Sequence, residues 1–342
     1  MTRASSEERA IPDSPPRSGD PRRGVRRLAM VSTVATLVLI AMGGAVRATD
    51  SGLACPDWPA CYGKWIPPAD VNMWFEHSHR LWAGVVGLLI LWLTVVAFAR
   101  HRDDPRLWRV GALACVLVLI QAGLGAAVVL LHLRAGLVTS HLAMSWIIVA
   151  CLVVMVALAR RPSLDAPMDR PARQIERQVG RWSAIVAVAV LAQGSLGSQA
   201  TGRGAAYVYN AVPFWLAEQP WTGHAREVLH LTHRFGGYLV AGAVIWLAVF
   251  ALRRWRATPG TPRWVAVVPA IAVALVVVQV GLGVSNVLTR AEVWSAIGHL
   301  TVASWLWTAV VAGAALGLMQ PATRDRGLLD GSATAGDVVA SR

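Results

Sequence analysis

Eight apolar stretches of about 20 residues each determine the class of this chain. A helix needs about 20 apolar residues to cross a bilayer core of about 30 Å. The chain is 55% hydrophobic and only 15% charged, which is too apolar for one aqueous core. The sequence therefore predicts an all-α integral membrane protein. The predicted transmembrane helices cover residues 27–46, 74–99, 108–131, 137–159, 181–200, 228–252, 264–288 and 294–319. The first stretch is too long for a signal peptide, so we expect an uncleaved helix.

The arginines are concentrated in alternate connecting segments. The net charge is +13, and arginines crowd the N-terminal tail, the loops after the second, fourth and sixth helices, and the C-terminal tail. Positive loops remain on the cytoplasmic side of a membrane. The pattern predicts that both termini are cytoplasmic, and it argues against a nucleic-acid partner. The basic charge would also attract anionic lipid.

Three short motifs occur twice in the same order. Residues 76–80 and 230–234 both carry His-Arg, residues 121–125 and 279–283 both read Gln-x-Gly-Leu-Gly, and residues 140–146 and 298–305 both carry His-Leu and then Ser-Trp. The chain is therefore expected to be two four-helix bundles related as a parallel repeat. The predicted organisation is a disordered cytoplasmic tail (1–25), an N-terminal half (26–160), a cytoplasmic linker (161–180), a C-terminal half (181–320) and a second cytoplasmic tail (321–342).

Two of the four cysteines lie in the first outer loop. Cys55 and Cys61 are on the predicted oxidising side, where a disulfide is favoured. Two free thiols or a metal-binding pair are the alternatives, although the loop has no further Cys or His cluster to complete a zinc site. Cys115 and Cys151 lie in apolar helices and are expected to be inert packing residues.

Four of the nine histidines lie at matched positions inside predicted helices: His79, His141, His233 and His299. Ionisable residues in membrane helices are usually functional, because burying them in hydrocarbon is costly. Two histidines on two helices of one four-helix bundle are typical of ligands that hold a heme iron from both sides. Buried histidines that only form hydrogen bonds, or zinc or copper ligands, are the alternatives. The remaining candidates, His77, His101, His132 and His224, are expected to be solvated or interfacial.

The glycines and arginines near these histidines suit a porphyrin. Glycines at 84, 87, 123, 125, 236, 237, 281 and 283 would allow a flat macrocycle close to the backbone. Ordinary small-residue helix packing would explain them equally well. Arg80 and Arg234 could pair with heme propionates. Their alternative partners are lipid headgroups.

The two halves differ three residues before the first histidine ligand. Glu76 stands in the first half and His230 in the second. The i to i+3 spacing places Glu76 on the helix face of His79, where a carboxylate suits proton transfer. The asymmetry predicts one catalytic site and one electron-transfer site. The alternative is that Glu76 caps the helix or pairs with Arg80.

These features together resemble the heme A synthase family. The resemblance rests on Glu76-x-x-His79-Arg80, the loop Gly52-Leu53-x-Cys55-Pro56-x-Trp58-Pro59-x-Cys61, the paired Gln-x-Gly-Leu-Gly motifs and the four helix histidines. It covers about residues 28–319. His230 departs from the family pattern, which often has an acid there.

The resemblance implies a role for each site residue. His79 and His141 would hold the substrate heme O, with Glu76 as the essential acid. His233 and His299 would hold heme b. The porphyrin C8 methyl group would be oxidised to a formyl group through hydroxylated intermediates, giving heme A in a bacterial plasma membrane. The expected partners are the lipid bilayer, a heme O synthase and an electron carrier. A diheme cytochrome b that exchanges electrons with quinone, and a heme transporter or chaperone, are the competing functions.

Overall fold

The computed structural model describes residues 20, 22–160, 169–212 and 220–319. Eight α-helices, each long and apolar enough to cross a membrane, account for most of these residues. They are α1 (Arg23–Ala48), α2 (Val71–Arg100), α3 (Pro105–Leu130), α4 (Ala135–Ala159), α5 (Arg170–Gly202), α6 (Ala225–Ala257), α7 (Trp264–Leu288) and α8 (Val293–Leu318). The described residues contain no β-strand beyond one isolated bridge. The predicted all-α integral membrane fold is confirmed.

The helices extend beyond the apolar stretches at several ends. Helix α1 begins at Arg23, inside the predicted tail, and Arg22 pairs with Asp104 at 2.9 Å. Helix α5 begins at Arg170, inside the predicted linker, because an amphipathic segment precedes its apolar part. Hydropathy does not detect these additional helical turns, because their residues are polar. Residues 1–19, 21, 161–168 and 320–342 lie outside the described part of the chain.

The helices are arranged in two groups of four. Helices α1 to α4 contact one another as the pairs α1–α2, α2–α3, α3–α4 and α1–α4, and helices α5 to α8 repeat this pattern. The groups meet through α1–α8, α4–α5 and α4–α8. Helices α4 and α8 are the most buried, because each packs against both groups. That the two groups are a parallel repeat remains a prediction.

Two tryptophans join the halves at the centre of the molecule. The rings of Trp146 on α4 and Trp307 on α8 stack with their centroids 5.7 Å apart. Trp146 Nε1 donates to Ser304 Oγ at 3.0 Å, and Trp307 Nε1 donates to the Trp146 carbonyl at 2.7 Å. Both indole N–H groups are thus satisfied in an apolar core. The Ser-Trp motifs are not structurally equivalent, since Trp146 is buried whereas Trp305 is exposed.

Glycines bring α5 and α8 into backbone contact. A Cβ atom built on Gly180 would lie 2.8 Å from Gly317 Cα, and one built on Gly317 would lie 2.5 Å from the Glu176 carbonyl oxygen. Gly313 and Gly317 have the spacing of a small-residue helix-packing motif. No larger side chain fits either position without separating the two helices.

The turns that precede α4 and α8 share one backbone conformation. His132 and Leu133 have φ angles of 54° and 53°, and Arg290 and Ala291 have φ angles of 55° and 57°. Left-handed non-glycine residues are uncommon, and two consecutive ones are rarer still. A turn with two consecutive left-handed residues therefore precedes α4 in the first half and α8 in the second half.

Candidate functional site

The four helix histidines lie at the same register in each half. His79 is the ninth residue of α2 and His233 the ninth of α6, while His141 and His299 are the seventh residues of α4 and α8. A rise of 1.5 Å per residue puts all four about 9–12 Å from the start of their helices. The helices of His79 and His141, α2 and α4, both pack against α1 and α3, and the helices of His233 and His299, α6 and α8, both pack against α5 and α7. The structure therefore brings the histidines together as two pairs, one in each half.

A glycine on a neighbouring helix lies against each imidazole. Cβ atoms built on Gly43, Gly125, Gly197 and Gly283 would lie 3.0, 3.2, 2.7 and 3.2 Å from Cε1 of His79, His141, His233 and His299, respectively. These distances are shorter than ordinary van der Waals contact, so each ring lies directly on a helix backbone. Gly125 and Gly283 belong to the repeated Gln-x-Gly-Leu-Gly motifs. The sequence analysis did not single out Gly43 and Gly197, which lie on α1 and α5.

The Nδ1 atoms distinguish His233 from the other three histidines. Nδ1 of His79, His141 and His299 is buried and has no hydrogen-bond partner in the described part of the chain. Nδ1 of His233 lies 2.9 Å from Gln193 Nε2, which also donates to the His233 carbonyl at 2.6 Å. Gln193 was not predicted from the sequence. Its signal was a polar residue within the apolar part of α5.

Other glycines near the histidines divide into two kinds. Cβ atoms built on Gly84, Gly123 and Gly281 would meet nothing within 4 Å. In contrast, Gly87 faces Val118, and both Gly236 and Gly237 make room for the Gln193 side chain. The three glycines of the first group are exposed and border open space. The second group serves packing.

Glu76 is buried near the N-terminal end of α2 and accepts two hydrogen bonds. The backbone N–H of Cys55 donates to Oε2 at 2.8 Å, and the Arg80 guanidinium donates to Oε1. Only 4% of the Glu76 side chain is exposed. The Arg80 ion pair that the sequence analysis held as an alternative role is therefore present. It leaves a proton-transfer role open, because the carboxylate lies one helical turn from His79.

Arg80 holds the first outer loop in place. Its Nη1 atom donates to the carbonyls of Asp57 and Ala60, both at 2.6 Å, and its Nη2 atom donates to the Cys55 carbonyl at 3.1 Å. Arginine presents a rigid fork of donors, so one side chain can fix several carbonyls of a tight loop. The guanidinium of Arg80 donates to carbonyls of this loop and to Glu76. The predicted contact with a heme propionate remains a prediction.

The loop itself is closed by the predicted disulfide. Cys55 and Cys61 are bonded, with their Cα atoms 4.8 Å apart, and both are fully buried. Asp57 accepts hydrogen bonds from the backbone N–H groups of Tyr62 at 2.6 Å and Gly63 at 2.7 Å. The Gly63 N–H, followed by that of Tyr62, holds the pKa of the Asp57 carboxyl below its ordinary value of 3.8, because both stabilise the anion. Cys115 and Cys151 are free.

The second half has a similar arginine, with no acid beside it among the described residues. Arg234 donates to the carbonyls of Tyr209 at 2.7 Å and Ala211 at 2.9 Å, as Arg80 does to the first loop. His230 takes the place of Glu76, and its Nδ1 lies 2.6 Å from the Ala205 carbonyl. The Nε2 atom of His230 is buried without a partner in the described residues. The role of Arg234 toward a propionate also remains a prediction.

Two of the histidines that were expected to be solvated or interfacial are buried, so neither is solvated. His77 is 1% exposed and its Nε2 lies 2.7 Å from the Trp65 carbonyl, while His101 is 8% exposed. The first loop covers His77, and His101 directly follows the last residue of α2. Hydropathy cannot detect such tertiary cover. His132 and His224 lie at the helix ends where they were expected.

The described residues contain no group of three or more His, Cys, Asp or Glu side chains that could hold a metal ion. A tetrahedral zinc site needs such a group. The histidine pairs instead have the ligand number of an axially held metalloporphyrin.

Comparison with known protein families identifies the family of this chain. Residues 26–311 match COX15-CtaA, described as cytochrome oxidase assembly protein. The chain belongs to this family. The match includes all four paired histidines, Glu76 and the disulfide loop.

Several Heme A synthases are also similar to this chain. The Heme A synthase of Shewanella oneidensis is 28% identical over 316 residues, which cover 80% of this chain and 90% of the relative. The Heme A synthase of Shouchella clausii is 26% identical, with 84% and 94% covered. A shorter match to the Heme A synthase of Exiguobacterium sp. is 35% identical over 130 residues, which cover 37% of this chain and 42% of the relative.

The histidine sites fit the heme that such a family would bind. An imidazole that ligates iron through Nε2 keeps its proton on Nδ1. The buried, unpartnered Nδ1 atoms of His79, His141 and His299 are compatible with that state. His233 reaches the same state only when its Nδ1, which accepts from Gln193 Nε2 in this structure, carries the proton instead. The donor set therefore fits bis-histidine ligation more directly in the first half than in the second.

Proposed function

We propose that this chain oxidises heme O to heme A. The proposal rests on two histidine pairs, His79 with His141 and His233 with His299, one in each half of the chain. It also rests on the similarity of the chain to Heme A synthases along most of its length. The net change is the oxidation of a porphyrin methyl group to a formyl group through hydroxylated intermediates. Heme O is an apolar substrate, and it enters the site from the bilayer.

The N-terminal half binds the substrate heme O. His79 and His141 hold it between α2 and α4, and Gly43 and Gly125 fix the two rings by close backbone contact. The acidic residue near a ligand is Glu76, which the second half lacks. Glu76 accepts and returns a proton during oxidation, and Arg80 balances its charge when it is ionised.

The C-terminal half binds heme b through His233 and His299. Heme b, when bound, supplies one-electron transfer. Gln193 orients the His233 ring through its contacts with Nδ1 and the His233 carbonyl. An electron carrier outside the chain exchanges electrons with this half, and a heme O synthase provides the substrate to the other half. Both termini are cytoplasmic, because the arginine-rich segments lie on that side.

Pigment analysis tests the proposal. The full chain is co-expressed with a heme O synthase, purified, and its extracted hemes are separated by chromatography. The expected extract contains heme b together with heme O, hydroxylated heme or heme A. Heme b alone, at about two per chain, would identify a diheme cytochrome. Heme that is lost during purification without conversion would identify a transporter.

A further inference from the structure

A groove runs along one stripe of α6 at the end away from the histidines. It encloses about 430 Å³ and is lined by Trp246, Val249, Phe250, Arg253, Arg254 and Ala257. These residues follow the i, i+3, i+4, i+7 spacing of one helix face. Arg253 lies 20 residues beyond His233, which corresponds to about 30 Å along the helix. The groove is therefore separate from the proposed heme sites.

The deeper part of the groove is apolar and aromatic. The rings of Trp246 and Phe250 stack with centroids 5.4 Å apart, and Trp182 of α5 meets Trp246 edge-on at 4.9 Å. Trp246 and Val249 remain 46% and 42% exposed. Because this surface faces outward from the helices, it is available to an apolar chain that lies beside α6.

The other end of the groove is cationic. Arg253 and Arg254 are both exposed, and neither forms a salt bridge among the described residues. The Arg254 guanidinium lies 5.4 Å from the centroid of the Phe250 ring, which keeps the charge at the edge of the apolar wall. Residues 253–263 contain four arginines and no acid. The groove therefore carries two uncompensated charges beside an apolar wall.

We propose that this groove binds one anionic phospholipid of the leaflet that contacts the arginine-rich loops. The phosphate pairs with Arg253 and Arg254, and an acyl chain lies against Val249, Phe250 and Trp246. From Trp246 to Arg253 the helix rises about 10 Å, which reaches from the headgroup level into the hydrocarbon. Basic pockets beside transmembrane helices recognise anionic headgroups in this way. A neutral prenyl chain or quinone would gain nothing from the two arginines.

The first half offers an internal comparison. A shift of 154 residues, which relates His79 to His233, places Trp92 at the position of Trp246 and Arg100 at that of Arg254. However, Ala99 stands in place of Arg253 and Val96 in place of Phe250. The adjacent arginines and the Trp246–Phe250 stack are thus absent from the equivalent positions of α2, although Phe98, Trp108 and Arg102 form a different arginine–aromatic group at the same end. Arg100 supplies a matched control on the other helix.

The test measures lipid retention by the purified full-length chain. The protein is reconstituted in nanodiscs of equal phosphatidylcholine and phosphatidylglycerol, extracted in mild detergent, and analysed by native mass spectrometry. We expect one retained phosphatidylglycerol per chain. The double variant Arg253→Gln/Arg254→Gln should bind it about thirtyfold more weakly, whereas Arg100→Gln should bind it as the parent chain does. Thermal unfolding and gel filtration establish that each variant is folded.

Two further measurements distinguish a bound phospholipid from other ligands of the groove. Trp246→Ala should weaken retention of the lipid while both arginines remain, and millimolar inorganic phosphate should not displace it. Displacement by inorganic phosphate would show a site for the phosphate group alone. Equal retention of phosphatidylcholine, recovery of a prenyl lipid or quinone, or no effect of the double variant would each overturn the proposal.

Discussion

The backbone N–H of Cys55 donates a 2.8 Å hydrogen bond to Oε2 of Glu76. Through this bond the buried carboxylate of α2 is tied to the disulfide loop, and Arg80 joins both by binding Glu76 and the loop carbonyls. The acid and the loop are therefore one structural unit. A change to either is expected to alter the position of the other, so a test of catalysis must preserve this network.

Glu76→Gln is expected to abolish most heme A formation while the chain still folds and retains heme b. The amide oxygen can still accept from Cys55, which keeps the loop contact, whereas the amide nitrogen is a donor and loses the contact with Arg80. The variant loses the negative charge and the ability to take up a proton. Groups in such roles typically contribute about 10²–10⁴-fold to a rate. Chromatography of extracted hemes at matched protein levels measures the outcome.

Glu227 provides the matched control for this experiment. It is a buried acid near the start of α6 that accepts hydrogen bonds from Thr222 and Gly223, and it has no contact with a paired histidine among those observed. Glu227→Gln should leave heme A output near normal. Near-normal output from Glu76→Gln would instead move the catalytic role to another residue.

The two histidine pairs are expected to hold different hemes. His233→Ala or His299→Ala should remove the stable low-spin heme b spectrum, because one axial ligand is lost. His79→Ala or His141→Ala should keep most of that spectrum and abolish product. Optical spectra of the purified variants and their heme content measure both effects. Equal loss of one heme in all four variants would contradict separate roles for the halves.

The disulfide gives a prediction about thiol accessibility. In the unfolded, unreduced chain only Cys115 and Cys151 should react with an alkylating reagent, and after reduction all four cysteines should react. Mass spectrometry counts the added groups. Cys55→Ser should lower stability by about 2–3 kcal/mol, because a bridge across so short a loop removes little chain entropy. Four alkylated cysteines before reduction would show that the bridge does not form in the isolated protein.

The sequence predicted the features that depend on local pattern. Hydropathy identified eight helices, and the predicted stretch 264–288 has the same bounds as α7. The outer cysteines are bonded as expected. The repeated motifs indicated paired histidines because spacing within a helix determines which residues share a depth.

The contacts between elements could not be predicted in the same way. His77 lies under the first loop, and Gln193 reaches His233 from another helix. The Arg80 guanidinium contacts loop carbonyls that only the folded chain brings together. Each of these depends on the distance between segments far apart in sequence, which no periodic pattern records.

Gly197→Ala is expected to disturb the heme site of the second half. The added Cβ would lie 2.7 Å from Cε1 of His233, which is closer than real contacts allow. The imidazole would have to move, and Gln193 restricts that movement because it contacts Nδ1 and the His233 carbonyl. We expect a lower heme b content and a shifted low-spin spectrum. Gly43→Ala, with its Cβ 3.0 Å from His79 Cε1, should reduce heme A output and leave the heme b spectrum intact.

Gly136→Ala supplies the control for these two variants. Gly136 lies in the first turn of α4, and a Cβ built there would meet nothing within 4 Å. Replacing a helical glycine by alanine stabilises a helix by up to about 1 kcal/mol, so this variant should fold at least as well as the parent chain. It should also keep the heme b content and the heme A output of the parent chain. If Gly197→Ala and Gly136→Ala had the same heme b content and spectrum, the close contact of Gly197 with His233 would play no part in holding the heme.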